Sequence, residues 1–358
     1  TAIGYTALTS LDAGADAYNV AVGFQAGYAM STGVRNVIVG GLAGDAITTS
    51  SYNTAVGHAA LSSEDTHGYN VAIGLSALET LNAGADAYNV AVGWNSGYAM
   101  TTGVRNTVIG AAAGDALTTG SDSTALGHSA LGAENTGQKN TAIGSYALAS
   151  LDYNGDGHNA AVGFNAGLNV STGIQNTLMG SLAGDALTTG SKNVAIGIAA
   201  LSTEDADHYS TAVGAYALES QNTGADAYNT AVGYFAGNAI STGTKNVCIG
   251  SQAADALTTG YNNIVIGHNA AASAVDVNNE LTIGDANIDA FRCADQSIAA
   301  LSDGRDKSDV KDSGFGLDFI DSIRPVEFTW DFRPENMSEN KQGKKRVGFI
   351  AQELQEAM

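Results

Sequence analysis

The chain has 358 residues, of which 45 are glycine and only 2 are proline, and its formal net charge is −21. Six of its 15 Lys and Arg and 24 of its 36 Asp and Glu lie in the first 302 residues, which gives that part a net charge of −18. So acidic a chain is a poor partner for nucleic acid, because binding to phosphates requires clustered Lys and Arg. No apolar run reaches the length of a membrane span, so we expect no membrane insertion. Two cysteines are too few for a disulfide framework, and Cys248 is expected to be a small packed thiol.

A pentad of the form N-[V/T]-A-[V/I]-G recurs along most of the chain. Its glycines stand at positions 4, 23, 40, 57, 74, 93, 110, 127, 144, 163, 180, 197, 214, 233, 250, 267 and 284. The spacing runs 19, 17, 17 and 17 residues, and this group of four occurs four times as a 70-residue super-repeat. Short units with alternating β-branched residues bounded by Gly and Asn are typical of strands and turns, and they must stack to bury a face. The pattern predicts an all-β fold, a β-solenoid with one coil per repeat and a length of roughly 77 Å.

Equivalent positions of successive coils form columns, numbered here from the pentad glycine as position 0. The apolar residue at −1, such as Val22, is predicted to point into the coil, and the Ala at +3 to be tightly packed. The Asn at −4 is predicted to form a hydrogen-bonded ladder. The residue at −2, usually Ala, would then face outward although it is apolar. Because a strand that is apolar on both faces is covered on both faces, the pattern predicts an oligomer, and we favour a homotrimer.

These pentads resemble the head repeats of trimeric autotransporter adhesins and the solenoid shafts of phage fibres. The resemblance extends over about residues 1–285. It implies a homotrimeric β-solenoid, which we assign to residues 1–290 as a shaft and receptor-binding region.

The 19-residue coils carry inserts such as "LDAGADAYN", "LDYNGDGHN" and "QNTGADAYN". In the second of these, Asp152, Asn154 and Asp156 alternate as oxygen ligands do in calcium loops, which makes them a weak candidate metal site. A solvated Asx-rich turn is the alternative interpretation. We otherwise expect no metal and no cofactor.

Aromatic residues collect beside the inserts, and rings near Asp and Asn are suited to binding glycans. The candidate glycan-binding residues are Tyr18, Phe24, Tyr88, Trp94, Phe164, Tyr228 and Tyr234. Packing of the longer coil would explain the same residues.

After residue 302 the sequence becomes richly charged and contains both prolines. Leu317, Ile320 and Ile323 follow a helical pattern, and an alternating strand follows Pro325, with a second short strand near "RVGFI". We therefore predict a small α+β domain over residues 303–358, joined to the solenoid by a linker over residues 291–302.

Three segments of this tail, "LSDGRDK", "GLDFIDSIRPVEFTW" and "RVGFIAQELQ", resemble in that order the self-cleaving intramolecular chaperone domain of phage tail fibres, tailspikes and endosialidases. The resemblance implies cleavage between Ser302 and Asp303 by a Ser–Lys dyad of Ser302 and Lys307. A desolvated lysine has a lowered pKa and can act as the base. Ser302 acting across chains and Lys307 activating water are both open. The alternative interpretation is that "SDGRDK" is only a polar linker.

Together these features predict a segment of a phage tail fibre or tailspike that attaches to a host-cell surface. Its partners would be other copies of itself, a bacterial surface glycan or protein receptor, and other tail proteins. It would assemble in the host cytoplasm and reside in the virion tail fibre. Autoproteolysis is the only reaction with sequence support. The alternatives are a trimeric adhesin at the bacterial cell surface and a polysaccharide-degrading tailspike.

Overall fold

The structure is a computed structural model, and it describes residues 1–14, 16–203, 205–290, 325–329, 345–348 and 350. Contacts between residues divide the chain into two units, Thr1–Gly284 and Asp285–Met358. The first unit contains 17 strands in one parallel sheet, one strand per coil. They are β1 Ala2–Ile3, β2 Val20–Val22, β3 Val37–Val39, β4 Thr54–Val56, β5 Val71–Ile73, β6 Val90–Val92, β7 Thr107–Ile109, β8 Thr124–Leu126, β9 Thr141–Ile143, β10 Ala160–Val162, β11 Thr177–Met179, β12 Val194–Ile196, β13 Thr211–Val213, β14 Thr230–Val232, β15 Val247–Ile249, β16 Ile264–Ile266 and β17 Leu281–Ile283.

In the second unit, the antiparallel strands β18 (Val326–Thr329) and β19 (Lys345–Gly348) pair with Val326 opposite Gly348. Both lie where strands were predicted. The predicted helical pattern of Leu317, Ile320 and Ile323 lies outside the described residues. None of the residues that the structure describes forms a helix long and apolar enough to cross a membrane.

Strand pairing follows the repeat spacing. β2 pairs with β3 through Val20 and Val37, one 17-residue step apart, and β1 pairs with β2 through Ala2 and Ala21, one 19-residue step apart. The two extra residues of the long coils therefore lie in the loops and leave the strand register intact. The predicted β-solenoid of 17- and 19-residue coils is confirmed.

The prediction of which strand residues face inward is wrong. The middle residue of each strand, at −2, is the buried one, as Ala21, Ile38 and Ala55 show, whereas Val22 and its equivalents at −1 face outward. In a strand, alternate residues share a face, so −2 points to the same side as the buried Asn at −4. A coil of 17 residues has a narrow interior, and beside the asparagine it mostly admits alanine. The larger apolar residues at −1 and −3 are therefore outside.

The core of the first unit is built from four columns, of which +4 holds leucines such as Leu61, Leu78 and Leu131 in some coils and glycine in most others. Alanine occupies most of −2 and +3, and larger residues such as Met30, Ile47 and Leu117 occupy +7. The predicted tight packing at +3 is confirmed, because Ala26, Ala43 and their equivalents from the second coil onward are buried.

The pentad glycine is required by close approach between coils. Gly57 adopts a φ of +138°, and a Cβ placed on it would lie 2.2 Å from the carbonyl oxygen of Gly74 in the next coil. Any side chain would both strain the backbone and separate the coils. This accounts for an unbroken column of glycine.

The predicted asparagine ladder is confirmed and is buried. The backbone N–H of Asn53 donates to Oδ1 of Asn36 at 2.9 Å, and that of Asn70 donates to Oδ1 of Asn53 at 3.0 Å. The amide of Asn36 also donates to the carbonyl oxygen of Ser50 in its own coil at 2.9 Å. Each asparagine thus joins two coils and fixes a turn, and each such bond contributes about 1 kcal/mol.

Candidate functional site

The outer face of the parallel sheet has an apolar residue at −1 in every strand, beside a −3 column of aliphatic residues and threonine. We call the side chains at −3 and −1 of the strands the outer band. Its residues are Val, Ile, Leu or Met at −1, and Val, Thr, Ile, Leu or Ala at −3. Large members are exposed in the single chain: Leu126 is 42% exposed and Met179 is 44% exposed. The sheet therefore has one face covered by the coil interior and a largely apolar face that is uncovered in the single chain.

The predicted glycan-binding aromatics fall into two columns on either side of this band. Phe24, Trp94, Phe164 and Tyr234 stand at +1, directly after the glycine. Trp94 is 53% exposed, and Phe24 stacks on Tyr5 of the preceding coil with ring centroids 5.8 Å apart. These rings extend the apolar band at its C-terminal edge.

The other predicted aromatics, Tyr18, Tyr88 and Tyr228, stand at −5, on the far side of the buried asparagine. We call this exposed column the corner column. It contains three further tyrosines that the sequence analysis missed, namely Tyr52, Tyr69 and Tyr209. Aligning the repeats on their glycines would have found them, because the column is visible in the sequence.

Rings in the corner column stack along the solenoid. The centroids of Tyr52 and Tyr69 are 4.9 Å apart, and those of Tyr69 and Tyr88 are 5.0 Å apart. Tyr209 and Tyr228 form a second stack at 5.1 Å, with planes only 2° apart. Since ring faces are used within the stacks, the hydroxyl groups and ring edges form the accessible surface.

All five Lys and Arg of residues 1–290 also stand in the corner column: Arg35, Arg105, Lys139, Lys192 and Lys245. Arg35 lies over the Tyr52 ring at 5.4 Å, and Lys192 lies over the Tyr209 ring at 5.1 Å. Arg105 pairs with Asp122 of the next coil at 2.6 Å, which lowers the pKa of that carboxyl. The corner column is thus polar and aromatic, in contrast to the outer band.

The calcium candidate is exposed at all three residues, Asp152, Asn154 and Asp156. Asp156 already accepts from Lys139 Nζ at 2.5 Å, a contact that an ion would have to displace. Calcium binding there stays a prediction.

Some coils also contain buried carboxylates that were not predicted from the sequence. Glu64 and Glu134 are fully buried at +7, the column that holds Met30 and Leu117 in other coils. Each belongs to the coil before a 19-residue coil. One super-repeat further on, the buried Asp207 accepts from the backbone N–H of Thr223 at 2.6 Å and of Ala225 at 3.0 Å, both in the next insert. The carboxylate of Asp207 thus anchors an inserted loop.

Burial, with a smaller contribution from the nearby Asp152, raises the pKa of Glu134 to about 7 against the opposing N–H donors. A carboxyl whose pKa is higher in the folded state stabilises the fold below its unfolded pKa, and this stabilisation is lost as the pH rises through 7. We expect the melting temperature to fall between pH 5 and pH 8.5. Glu134→Gln should raise the melting temperature at pH 8.5, by the equivalent of about 3 kcal/mol, and change it little at pH 5. Thermal unfolding followed by circular dichroism measures both.

The exposed Asp12→Asn is the matched control, since it removes one carboxylate from the first insert without touching the core. An equal gain for Asp12→Asn and Glu134→Gln at pH 8.5 would contradict a role for burial.

The predicted cleavage residues Ser302, Asp303 and Lys307 lie outside the described residues, as does Cys293. Cys248 is fully buried, and burial raises the pKa of its thiol to about 12. The expectation of a small packed thiol is confirmed.

No curated protein and no solved structure matches the chain. Residues 302–358 match the family described as chaperone of endosialidase. The match begins at the serine that the sequence analysis placed before the scissile bond. A parallel β-solenoid followed by this segment fits a tail fibre with an intramolecular chaperone.

Proposed function

We propose that the chain is a segment of a homotrimeric phage tail fibre that attaches to a bacterial surface and is matured by its C-terminal chaperone segment. The family match over residues 302–358 carries this proposal. Parallel stacking of distant segments folds slowly and leaves open strand edges, and three chains must start in one register. A C-terminal segment that aligns the chains and is then cut off would meet that need and leave a kinetically stable product.

The outer band supports self-association and indicates the surface involved. Sixteen steps of about 4.8 Å and a width of about 10 Å give a continuous apolar area of roughly 800 Å². Monomeric proteins rarely expose so large a patch, and this area is close to what one partner of a stable interface buries. Because the band runs the whole length of the solenoid, its natural cover is an equally long apolar band, which other copies of this chain supply.

The two aromatic columns then have different roles. The rings at +1, including Trp94 and Phe164, continue the apolar band and belong with the interface. The corner column has charged and hydroxyl groups among its rings, as the water-facing rim of an interface does. It remains accessible in the assembled fibre, and its tyrosines combine an apolar ring with a polar tip, which suits a polysaccharide.

Replacing Tyr88 and Tyr228 together by alanine is expected to weaken polysaccharide binding roughly thirtyfold, because each ring contact contributes about 1 kcal/mol. Binding to an array of bacterial surface polysaccharides measures this. Trp94→Ala is the control, since its ring belongs to the interface and its loss should leave glycan binding unchanged. If the double variant binds like the parent, the corner column is not the receptor surface.

The pentads also favour a second function, a bacterial surface adhesin. The same array would detect glycan binding in either case, so the processing experiment discriminates between them. Release of a C-terminal piece beginning at Asp303 supports the tail fibre, and its absence favours the adhesin.

A further inference from the structure

One turn of the solenoid brings three potential metal ligands together. Glu64, Asp65 and His67 each offer one ligand atom, and these atoms all lie within 4.8 Å of one another. Nδ1 of His67 is 3.9 Å from Oε1 of Glu64. Two ligands of one zinc ion, each about 2.1 Å from the metal, lie at most about 4.2 Å apart. Small rotations of the half-buried Asp65 and His67 side chains would bring the set around one ion.

The turn also contains an unsatisfied buried group. Glu64 is fully buried in an otherwise apolar column, and its Oε2 has no hydrogen-bond partner. Oε1 accepts from the backbone N–H of His67 at 3.0 Å, and the backbone N–H of Ala83 is also directed at the carboxylate. A buried carboxylate oxygen without a partner costs several kcal/mol, and coordination to a cation would offset that cost.

In the equivalent turn one super-repeat later, the carboxylate of Glu134 has a hydrogen-bond donor that Glu64 lacks. Glu134 receives the N–H of Gly137 at 2.8 Å and the amide of Asn140 at 3.4 Å, so both of its oxygens are engaged. In the first turn the amide of Asn70 donates instead to the carbonyl oxygen of Gly68. Asn135 and Gly137 are replaced there by Asp65 and His67. Where the Glu64 carboxylate loses an amide donor, the chain thus provides a second carboxylate and an imidazole.

The backbone of this turn is fixed before any ion arrives. Thr48 N–H donates to the carbonyl oxygen of Asp65 at 2.7 Å, and the Ser50 hydroxyl donates to the carbonyl oxygen of His67. The Thr66 hydroxyl lies 3.0 Å from Asp65 Oδ1 and 2.9 Å from His67 Nδ1. With a single proton it can donate to only one of them. A metal ion would satisfy both atoms at once.

We propose that Glu64, Asp65 and His67 form a zinc site. One imidazole and two carboxylates match the preference of Zn²⁺ for nitrogen and oxygen ligands, and the two negative charges balance the ion. Mg²⁺ and Ca²⁺ prefer all-oxygen ligand sets. With three protein ligands, water completes the coordination, and the ion staples the turn in front of the second insert.

Isothermal titration of the metal-free, tag-free chain with ZnCl₂ tests the site, with thermal unfolding as a second readout. The expected result is a single tightest site per chain and a higher melting temperature with Zn²⁺, but not with equal concentrations of Mg²⁺ or Ca²⁺. His67→Ala should weaken binding at that site more than about tenfold. Loss of a residue that only hydrogen-bonds a metal ligand already weakens metal affinity about tenfold or more, and His67 would be a ligand itself. The double variant Asp65→Asn with His67→Gly, which copies the second turn, should abolish it.

His58→Ala is the matched control, because His58 is an exposed histidine in the column just before this turn. It should leave unchanged both zinc binding and the rise in melting temperature that Zn²⁺ causes. Circular dichroism confirms that each variant is folded. The proposal is overturned if the parent binds no zinc, if His67→Ala binds it as tightly as the parent does, or if His58→Ala weakens binding as much as His67→Ala does.

Discussion

Ser302→Ala is expected to abolish release of a C-terminal piece beginning at Asp303 from the full-length protein, and Lys307→Ala to do the same. If the two residues form a dyad, Ser302→Ala removes the nucleophile and Lys307→Ala removes the base that activates it. Loss of one member of such a unit slows the reaction by a factor on the order of 10⁴ or more. Intact mass spectrometry after expression measures the cut, and N-terminal sequencing of the released piece locates it.

Ser308→Ala is the matched control, because it changes a second serine of the same charged segment and should leave processing complete. Continued cleavage in Ser302→Ala would remove that serine from the mechanism. If the parent protein stays uncut but is still trimeric, the C-terminal segment assists assembly without cleaving the chain.

Ser302→Ala alone tests whether Lys307 activates water, and co-expression of Ser302→Ala with Lys307→Ala chains tests whether the dyad is shared between chains. A serine attacking its own carbonyl carbon would form a strained four-membered ring. If the dyad is shared between chains, mixed trimers regain cleavage. If they stay uncut, Ser302 and Lys307 must come from the same chain, and the serine then acts on the bond of a neighbouring chain.

The solenoid was predictable because its information is periodic. Glycine spacing fixes the coil length, and the column of Asn predicts a ladder that the structure contains at 2.8–3.1 Å in most coils. The prediction of which strand side chains point into the coil was wrong, because the larger apolar side chains were assumed to be the buried ones. In so narrow a coil, the alanine at −2 is inside and Val22 or Met179 is outside. Reversing the two columns keeps the inference of an oligomer, since the outward face is even more apolar than predicted.

The candidate sites were predictable in part. Tyr18, Tyr88 and Tyr228 were selected for their proximity to the inserts, whereas Tyr52, Tyr69 and Tyr209 lie in short coils and were overlooked. Glu64 and Glu134 interrupt an apolar column at intervals of 70 residues, a pattern that the sequence contains but that has meaning only once +7 is known to be buried. The missing hydrogen bond at Glu64 depends on where a neighbouring amide points, and no sequence pattern encodes that.

Met179→Asp is expected to convert the trimer to single chains. In the assembled fibre, this substitution would bury an unpaired carboxylate in the outer band of each of three chains, at a cost of about 3–5 kcal/mol for each one. In the isolated chain the same side chain is 44% exposed, so the coil itself should still fold. Multi-angle light scattering reports the number of chains per particle, and circular dichroism reports the fold.

Gln175→Asp is the matched control, since it adds the same charge to the same coil but in the exposed corner column, which carries Asp122 naturally three coils earlier. It should leave the trimer intact. Loss of the trimer in both variants would mean that added charge anywhere on this acidic chain prevents assembly. An intact trimer in Met179→Asp would place the interface on another face and return Trp94 and Phe164 to the candidates for glycan binding.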